Sequence, residues 1–394
     1  MLLFYFIDEL LGTQGAKYTS AEESGGELTI SMELPRKEHA CPSCGCMTDR
    51  IHDYRKQKIN AGKFNHLHVT VVYRKRRYVC PECGKKFIES NDFVGRYQRM
   101  TKAVIANVIN SLREEVSFKH VAIENRLSIQ TVIRLFDQLS FGRPQTLPEA
   151  IGIDEFRGNA NRVKYQVILT DLVSGNVFDI LPNRYESHIS KYFRQFSREE
   201  RDKVKTYVSD MYREYDRIGS DLFHNADRII DRYHWVRQVI WALENVRKRE
   251  QKRLGKQRQK YFKRSKSLLI KRFNELTADN QQAVLRMLEL SSDLSTAHYY
   301  KEKVLAIRDT DDPNERRKAF HAATDSMKNS GIDELEKCAD TYYNWSLGII
   351  NSLDSVYSNG LTEGCNNKIK VMKRIGYGYR NYDRFRKRIL HCFS

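Results

Sequence analysis

The sequence predicts a multidomain α+β protein: a small cysteine-rich β module, a pair of short helices, and a mixed α/β body interrupted by a long helical insertion. Three observations predict it. Two Cys-x-x-Cys pairs, Cys41/Cys44 and Cys80/Cys83, bracket strand-like text. From Thr101, apolar residues recur at helical spacing, with a break over 125–128. Between Ile151 and Val236, apolar runs alternate with helical text, and two of those runs stop on an aspartate.

The cysteine pairs come first in the chain. Each Cys-x-x-Cys turn aims two thiolates at one point, and two such turns complete a tetrahedral zinc site. The stretches 67–73 and 77–79 between them read as strands. Residues 1–98 are therefore expected to form a zinc ribbon in which Cys41, Cys44, Cys80 and Cys83 hold a structural zinc. Cys46, His52, His66 and His68 are spare donors. The run Arg74-Lys75-Arg76-Arg77 offers Arg74 and Arg76 to a DNA backbone; the plainer reading is a solvated charged face. The apolar start, 1–7, reads as a first strand or helix rather than a signal peptide, because Asp8 and Glu9 follow it at once.

Residues 99–142 read as a helix-turn-helix. Val104, Ile105, Val108, Ile109 and Leu112 mark one helix. A second ends near Asn125, and Ser128 is placed to cap a third that opens on Ile129-Gln130-Thr131. Gln130, Thr131 and Arg134 would then face a major groove. An ordinary helical hairpin is the competing reading. Gly142, Pro144 and Pro148 make the following segment a linker.

The body is expected over 150–240 and again over 351–394, with a helical insertion at 241–350. Its element order is three strands, a helix, a strand, a helix, a strand and a helix. That order matches a ribonuclease-H-like fold, whose first and fourth strands lie side by side. Asp154 ends the first and Asp210 the fourth. Two adjacent carboxylates repel, and a hard divalent cation relieves this by bridging them. A third acid, Glu363, stands in a strongly basic stretch with Lys368, Lys370, Lys373, Arg374 and Arg380. Singly, each aspartate has a plainer explanation as a turn residue.

Composition supports a polyanionic partner. The chain has 394 residues, 68 Lys plus Arg against 50 Asp plus Glu, and a net charge of +18. No apolar run reaches the length of a membrane span. The eight cysteines in an expected reducing, cytoplasmic setting point to metal binding or burial, not disulfides.

These segments together resemble the bacterial insertion-sequence transposases of the ISL3 family. The resemblance is carried by the paired knuckles, the helix-turn-helix, Gly152-Ile153-Asp154-Glu155-Phe156, Val208-Ser209-Asp210-Met211, Asp231-Arg232-Tyr233-His234, and the segment from Ser358 through Glu363 to Lys370. It spans nearly the whole chain. It implies an Asp-Asp-Glu triad of Asp154, Asp210 and Glu363 binding magnesium or manganese, with Asp231 as the rival second aspartate. It implies cleavage at the terminal inverted repeats of a mobile element, strand transfer into target DNA, a homodimer on double-stranded DNA, and association with the nucleoid. The alternative is a zinc and helix-turn-helix DNA-binding regulator whose transposase-derived body is inert.

Overall fold

The computed structural model describes residue 13 and residues 15–394, apart from 96, 263 and 264. The apolar start at 1–7 lies outside the described residues. The chain divides into two compact units: residues 1–141 with 374–377 and 394, and residues 142–373 with 378–393.

The first unit is built on a long hairpin. β1 (Lys17–Ser24), β2 (Glu27–Glu33), β5 (Ile51–Phe64), β6 (Leu67–Val79) and β7 (Lys86–Ile88) form one sheet, while β3 (His39–Ala40) and β4 (Met47–Thr48) make a small pair of their own. Strands β5 and β6 run antiparallel through a turn at Asn65, where φ is 52°. Strand β2 adds to β6 in parallel, and β1 pairs antiparallel with β2. Alternation along β6 sends Val69, Val71 and Tyr73 into a core with Ile30, Met32 and Ile59. The sequence reading had missed β1 and β2.

The alternation changes phase within the basic run and corrects one expectation: buried Val69, Val71 and Tyr73 are followed by buried Arg76 and Tyr78. Arg76 follows Tyr73 by three residues and still points inward, at 7% exposure. Its guanidinium pairs with Glu33 at 3.1 Å and Glu89 at 3.2 Å, and donates to the Leu34 carbonyl at 2.7 Å. Buried Glu89 also accepts from Tyr73 Oη and from the Arg76 N–H. Arg76 is thus a structural cation with no route to DNA. Arg74, two residues back on the same face, is exposed, lies over the Tyr54 ring and pairs with Glu33. Arg76→Ala is expected to destabilise this unit by about 3–5 kcal/mol, because Glu89 is left buried without its counter-charge. Arg74→Ala should cost under about 1 kcal/mol. Urea unfolding of the two variants checks the contrast.

Helices α1 (Lys102–Ser111), α2 (Phe118–Glu124) and α3 (Ile129–Asp137) follow. Thr101, Ser117 and Ser128 cap them, each hydroxyl accepting the N–H three residues on. Val104, Val108, Leu112, Val121, Val132 and Phe136 form their core. Ribbon and helices, expected as separate domains, pack as one unit. Asn60 Nδ2 donates to the Asn125 carbonyl at 2.8 Å, and Gly62 leaves only the room that the Val104 side chain needs.

The second unit holds a five-stranded sheet in the order β10-β9-β8-β11-β12. Its strands are β8 (Ala150–Phe156), β9 (Gln166–Asp171), β10 (Asn176–Leu181), β11 (Thr206–Ser209) and β12 (Asp227–Ile230). The first three form an antiparallel meander, and β11 and β12 add in parallel to β8. This is the expected ribonuclease-H-like order. Helices α4 (Glu186–Phe193) and α5 (Arg213–Leu222) contribute Ile189, Phe193, Tyr215 and Ile218 to the core on one face, with Ile151 and Ile153 of β8.

Helix α6 (Arg232–Arg253) leaves the sheet and opens the insertion. There it meets α7 (Ala278–Leu288), α8 (Ser292–Ala306), α9 (Pro313–Lys328) and α10 (Asp333–Asn344) around a second core containing Trp235, Val239, Leu294, Phe320 and Tyr342. Helix α11 (Ser346–Asp354) returns the chain to β12: Asn351 Nδ2 donates to the Arg228 carbonyl at 2.9 Å. Helices α12 (Gly360–Ile375) and α13 (Tyr382–Cys392) cover the other face of β8, where Phe156 packs edge-on against Phe385. Among the described residues, no helix is long and apolar enough to cross a membrane.

Candidate metal centres and nucleic-acid interface

The four cysteines converge as their spacing requires. Sγ separations are 3.6 Å for Cys41–Cys83, and 3.5 Å for both Cys44–Cys80 and Cys44–Cys83. A zinc ion with thiolates at ~2.3 Å sets tetrahedral edges of about 3.8 Å. Gly45 and Gly84 close the two knuckles alike, at φ 76° and 67°, with their N–H groups bonded to the Cys41 and Cys80 carbonyls. Backbone N–H groups of Cys83 and Glu82 hold the Cys80 thiol down to about 6, which favours the thiolate.

The acids meet at the C-terminal ends of the parallel strands. Residues Thr206, Tyr207 and Val208 of β11 pair with Ala150, Ile151 and Gly152 of β8, and residues 206–209 pair with 227–230 of β12. Carried two residues past Val208, the register sets Asp210 level with Asp154; carried one past Ser209, it sets Asp210 level with Asp231. Alternation along β8 turns Gly152, Asp154 and Phe156 toward α12 and α13, and Glu155 toward α4 and α5. Glu155 there pairs with Arg184 at 2.7 Å and accepts from Tyr215 Oη at 3.0 Å.

The two aspartates carry perturbed carboxyls. Burial lifts Asp154 to about 6, reinforced by the charge of Glu155 and opposed by the Glu155 N–H and the Asn366 amide. Burial lifts Asp210 to about 7, with the charges of Glu155 and Asp154 adding to it. Asp210 Oδ1 is buried and has no hydrogen-bond partner. Asp231 is satisfied: Oδ1 accepts the Asn359 N–H at 2.9 Å and Oδ2 the Tyr233 N–H at 3.2 Å, capping α6.

Helix α12 brings the third acid. Glu363 lies in its first turn, exposed, with its N–H on the Asn359 carbonyl at 2.8 Å. It lines a cavity of about 680 Å³ with Asp231, Tyr233, Arg272 and Arg308. One turn further along, Asn366 Nδ2 donates to Asp154 Oδ2 at 2.8 Å, while its own buried Oδ1 is unpartnered. Asn359 ties these parts together. Its Nδ2 donates to the Ile153 carbonyl at 3.0 Å, its N–H reaches Asp231, and its Oδ1 accepts from Thr362. Gly152 makes this approach possible: a Cβ there would fall 2.5 Å from Thr170 Oγ1 and 2.7 Å from Thr362 Oγ1. Sequence reasoning had missed Asn359, Asn366 and the Glu155–Arg184 pair. No local pattern marks them: the bonds of Asn359 and Asn366 to Asp231, Ile153 and Asp154 span more than 100 residues, and Arg184 is 29 residues from Glu155.

The acids do not collapse into one tight cage. Among the described residues, only the four cysteines form a set of three or more candidate ligands whose atoms lie within 4.8 Å of one another. The basic residues divide as well. Lys370, Arg374 and Arg380 are exposed. The ammonium groups of Lys368 and Lys373 are held by the Cys392 and Arg157 carbonyls, at 3.2 and 2.6 Å. Gly378 follows the end of α12: its φ is +91°, and its N–H bonds to the Lys373 carbonyl. On α3, Gln130 and Arg134 are exposed and Thr131 is half-buried.

Comparison with known proteins agrees with this architecture. Residues 151–389, more than half of the chain, match a family model of the ISL3 type described as "Transposase". Residues 37–83 match the zinc-finger of transposase IS204/IS1001/IS1096/IS1165, and residues 89–140 the helix-turn-helix domain of transposase family ISL3. The chain is also 25% identical over 383 residues to the transposase for insertion sequence element IS1001 of Bordetella parapertussis, covering 94% of this chain and 93% of that protein. The four-cysteine cluster within the matched finger supports a structural zinc. The chain is a DNA transposase and belongs to the ISL3 family.

Proposed function

We propose that the chain cuts DNA at the terminal inverted repeats of its element and joins the freed ends to target DNA, using Asp154, Asp210 and Glu363 as an Asp-Asp-Glu triad that holds magnesium or manganese. The observation that carries this reading is the pair of adjacent half-buried aspartates with raised carboxyl pKa values, one with a buried, orphaned oxygen, beside the helix that carries Glu363. Hard oxygen donors whose mutual repulsion is unrelieved suit a hard divalent cation. Asp210, not Asp231, is the second ligand in this reading, because Asp210 keeps a buried oxygen with no partner while Asp231 caps α6 and holds the Asn359 N–H.

When bound, the cation would lower the pKa of an attacking water and stabilise charge on the scissile phosphate. The protein's own part is positional. Asn366 orients the Asp154 carboxylate, and Asn359 fixes the start of the Glu363 helix against β8. In the first reaction, water oxygen bonds to phosphorus and the bond to the 3′ oxygen breaks, leaving a 3′-hydroxyl at the element end. In the second, that 3′ oxygen bonds to a target phosphorus, and a target 3′-hydroxyl leaves with the proton. Lys370, Arg374 and Arg380 would neutralise backbone phosphates, with Gln130, Thr131 and Arg134 reading the groove. Two ends must be handled together, so a homodimer on DNA is expected. Divalent-dependent nicking and joining of DNA that carries the element's ends is the direct test.

A pH dependence follows. Asp154 and Asp210 have folded pKa values above their unfolded ones, so the metal-free native state binds more protons than the unfolded chain between about pH 4 and 7. Their contribution to stability is therefore lost as pH rises through that window, while cation binding, which competes with these protons, gains. The rise in Tm on adding magnesium should be small at pH 5 and larger at pH 8. A shift of equal size at both would show that the cation binds elsewhere.

A further inference from the structure

Helix α6 carries an exposed stripe that the catalytic reading does not use. Tyr233, Arg237, Trp241, Asn245 and Lys248 recur at spacings of three or four, and none is acidic. Tyr233 is 58% exposed and Trp241 45%, whereas Trp235 on the opposite face is buried, with its Nε1 on Ser352 Oγ. The Arg237 guanidinium lies between the two exposed rings, 3.9 Å from the Trp241 centroid and 5.7 Å from that of Tyr233. Two large aromatics held open to solvent, with a cation across both faces, contribute nothing to the core that the inner face of α6 already fills.

The ladder starts at the triad. Tyr233 lines the same cavity as Glu363, and Arg272 and exposed Arg308 stand on the far wall. From Tyr233 to Trp241 the helix rises about 12 Å. We infer that Tyr233, Arg237 and Trp241 form a stacking platform for unpaired DNA bases next to the cleavage position, the backbone of that strand being met by Arg308 and Lys248. Aromatic faces interleaved with guanidinium suit bases of any sequence, and the flanking cations suit phosphate. A fully paired duplex presents no base faces to such a surface. The inference rests on the reading of Glu363 as part of the cutting site.

Full-length protein, without divalent cation, is titrated by fluorescence anisotropy against a labelled oligothymidylate strand and against a duplex of equal length. Trp241→Ala and Tyr233→Ala should each weaken single-strand binding about tenfold, with duplex binding within about twofold of wild type. Trp241→Phe should restore most of the loss. Because Trp241 is half in solvent, the substitutions leave the fold intact, and circular dichroism checks this. Unchanged single-strand affinity overturns the proposal, as does an equal fall for duplex and single strand, which marks a merely cationic surface. Loss of self-association with DNA binding untouched also overturns it and makes the stripe a contact between copies. No cleavage enters the assay, so it stands or falls separately from the triad variants.

Discussion

Asp154→Asn, Asp210→Asn and Glu363→Gln are each expected to reduce cleavage of element-end DNA about a thousandfold or more, while binding to the same DNA stays within about twofold of wild type. The amides keep the shape of the acids and remove only the charge that a divalent cation needs. Binding is spared because the helix-turn-helix residues and the basic side chains are untouched. Stability should move the other way. Asp154 and Asp210 are half-buried near each other and near Glu155, at a cost that grows as they ionise. At pH 8 without metal, Asp210→Asn should raise Tm even as it abolishes activity, the pattern of a site that trades stability for function. Asp231→Asn separates the two candidate aspartates. If Asp231 acts only through the hydrogen bonds that position its neighbours, its loss should cost roughly 10- to 100-fold. A thousandfold loss at Asp231 with a mild effect at Asp210 would reverse their roles. Binding without nicking by the wild-type protein, under any divalent metal, would favour the inert regulator.

The distribution of what was legible follows from period and distance. The cysteine knuckles, the cap at Ser128, and the order of strands around Asp154 are local patterns, and the sequence carries them openly. Asp210 stands out because a strand ending on an acid can be read within five residues. Glu363 stands out by its contrast with a basic stretch. The failures share another cause. The run from Arg74 to Arg77 reads as one charged face, but Arg76 is buried against Glu33 and Glu89, partners 43 and 13 residues away that the strand's own alternation does not reveal. Lys368 and Lys373 were counted as DNA contacts because composition cannot reveal that carbonyls at Cys392 and Arg157 hold them. Asn359 and Asn366 went unnoticed because a buried amide signals its role only through partners more than 100 residues away.

Asn359→Ala should be the most damaging substitution that leaves every candidate ligand in place, lowering cleavage roughly 100-fold and stability by about 2–4 kcal/mol. The side chain is 5% exposed and makes its contacts inside the junction of β8, α6 and α12. Removing it strands the Ile153 carbonyl and leaves the Thr362 hydroxyl with Thr170 alone, in a space too confined for easy rehydration. The bond from its backbone N–H to Asp231 survives in principle, so the damage should fall on the α12 side, where Glu363 and Asn366 sit. Asn359→Asp is the informative companion. It keeps size and one acceptor for Thr362, but sets a second carboxylate against the Ile153 carbonyl and beside Asp231. If Asn359 acts through geometry alone, the aspartate variant should be as inactive as alanine and less stable above pH 7, where the added charge is fully formed. Asn366→Ala, which frees only the Asp154 carboxylate, should lower cleavage about tenfold with little loss of Tm. Measured together, turnover and thermal unfolding then separate a residue that builds the site from one that aims a single ligand within it. Wild-type cleavage by Asn359→Ala would mean that α12 is held in register by packing at Gly152 and Thr362, without help from the amide.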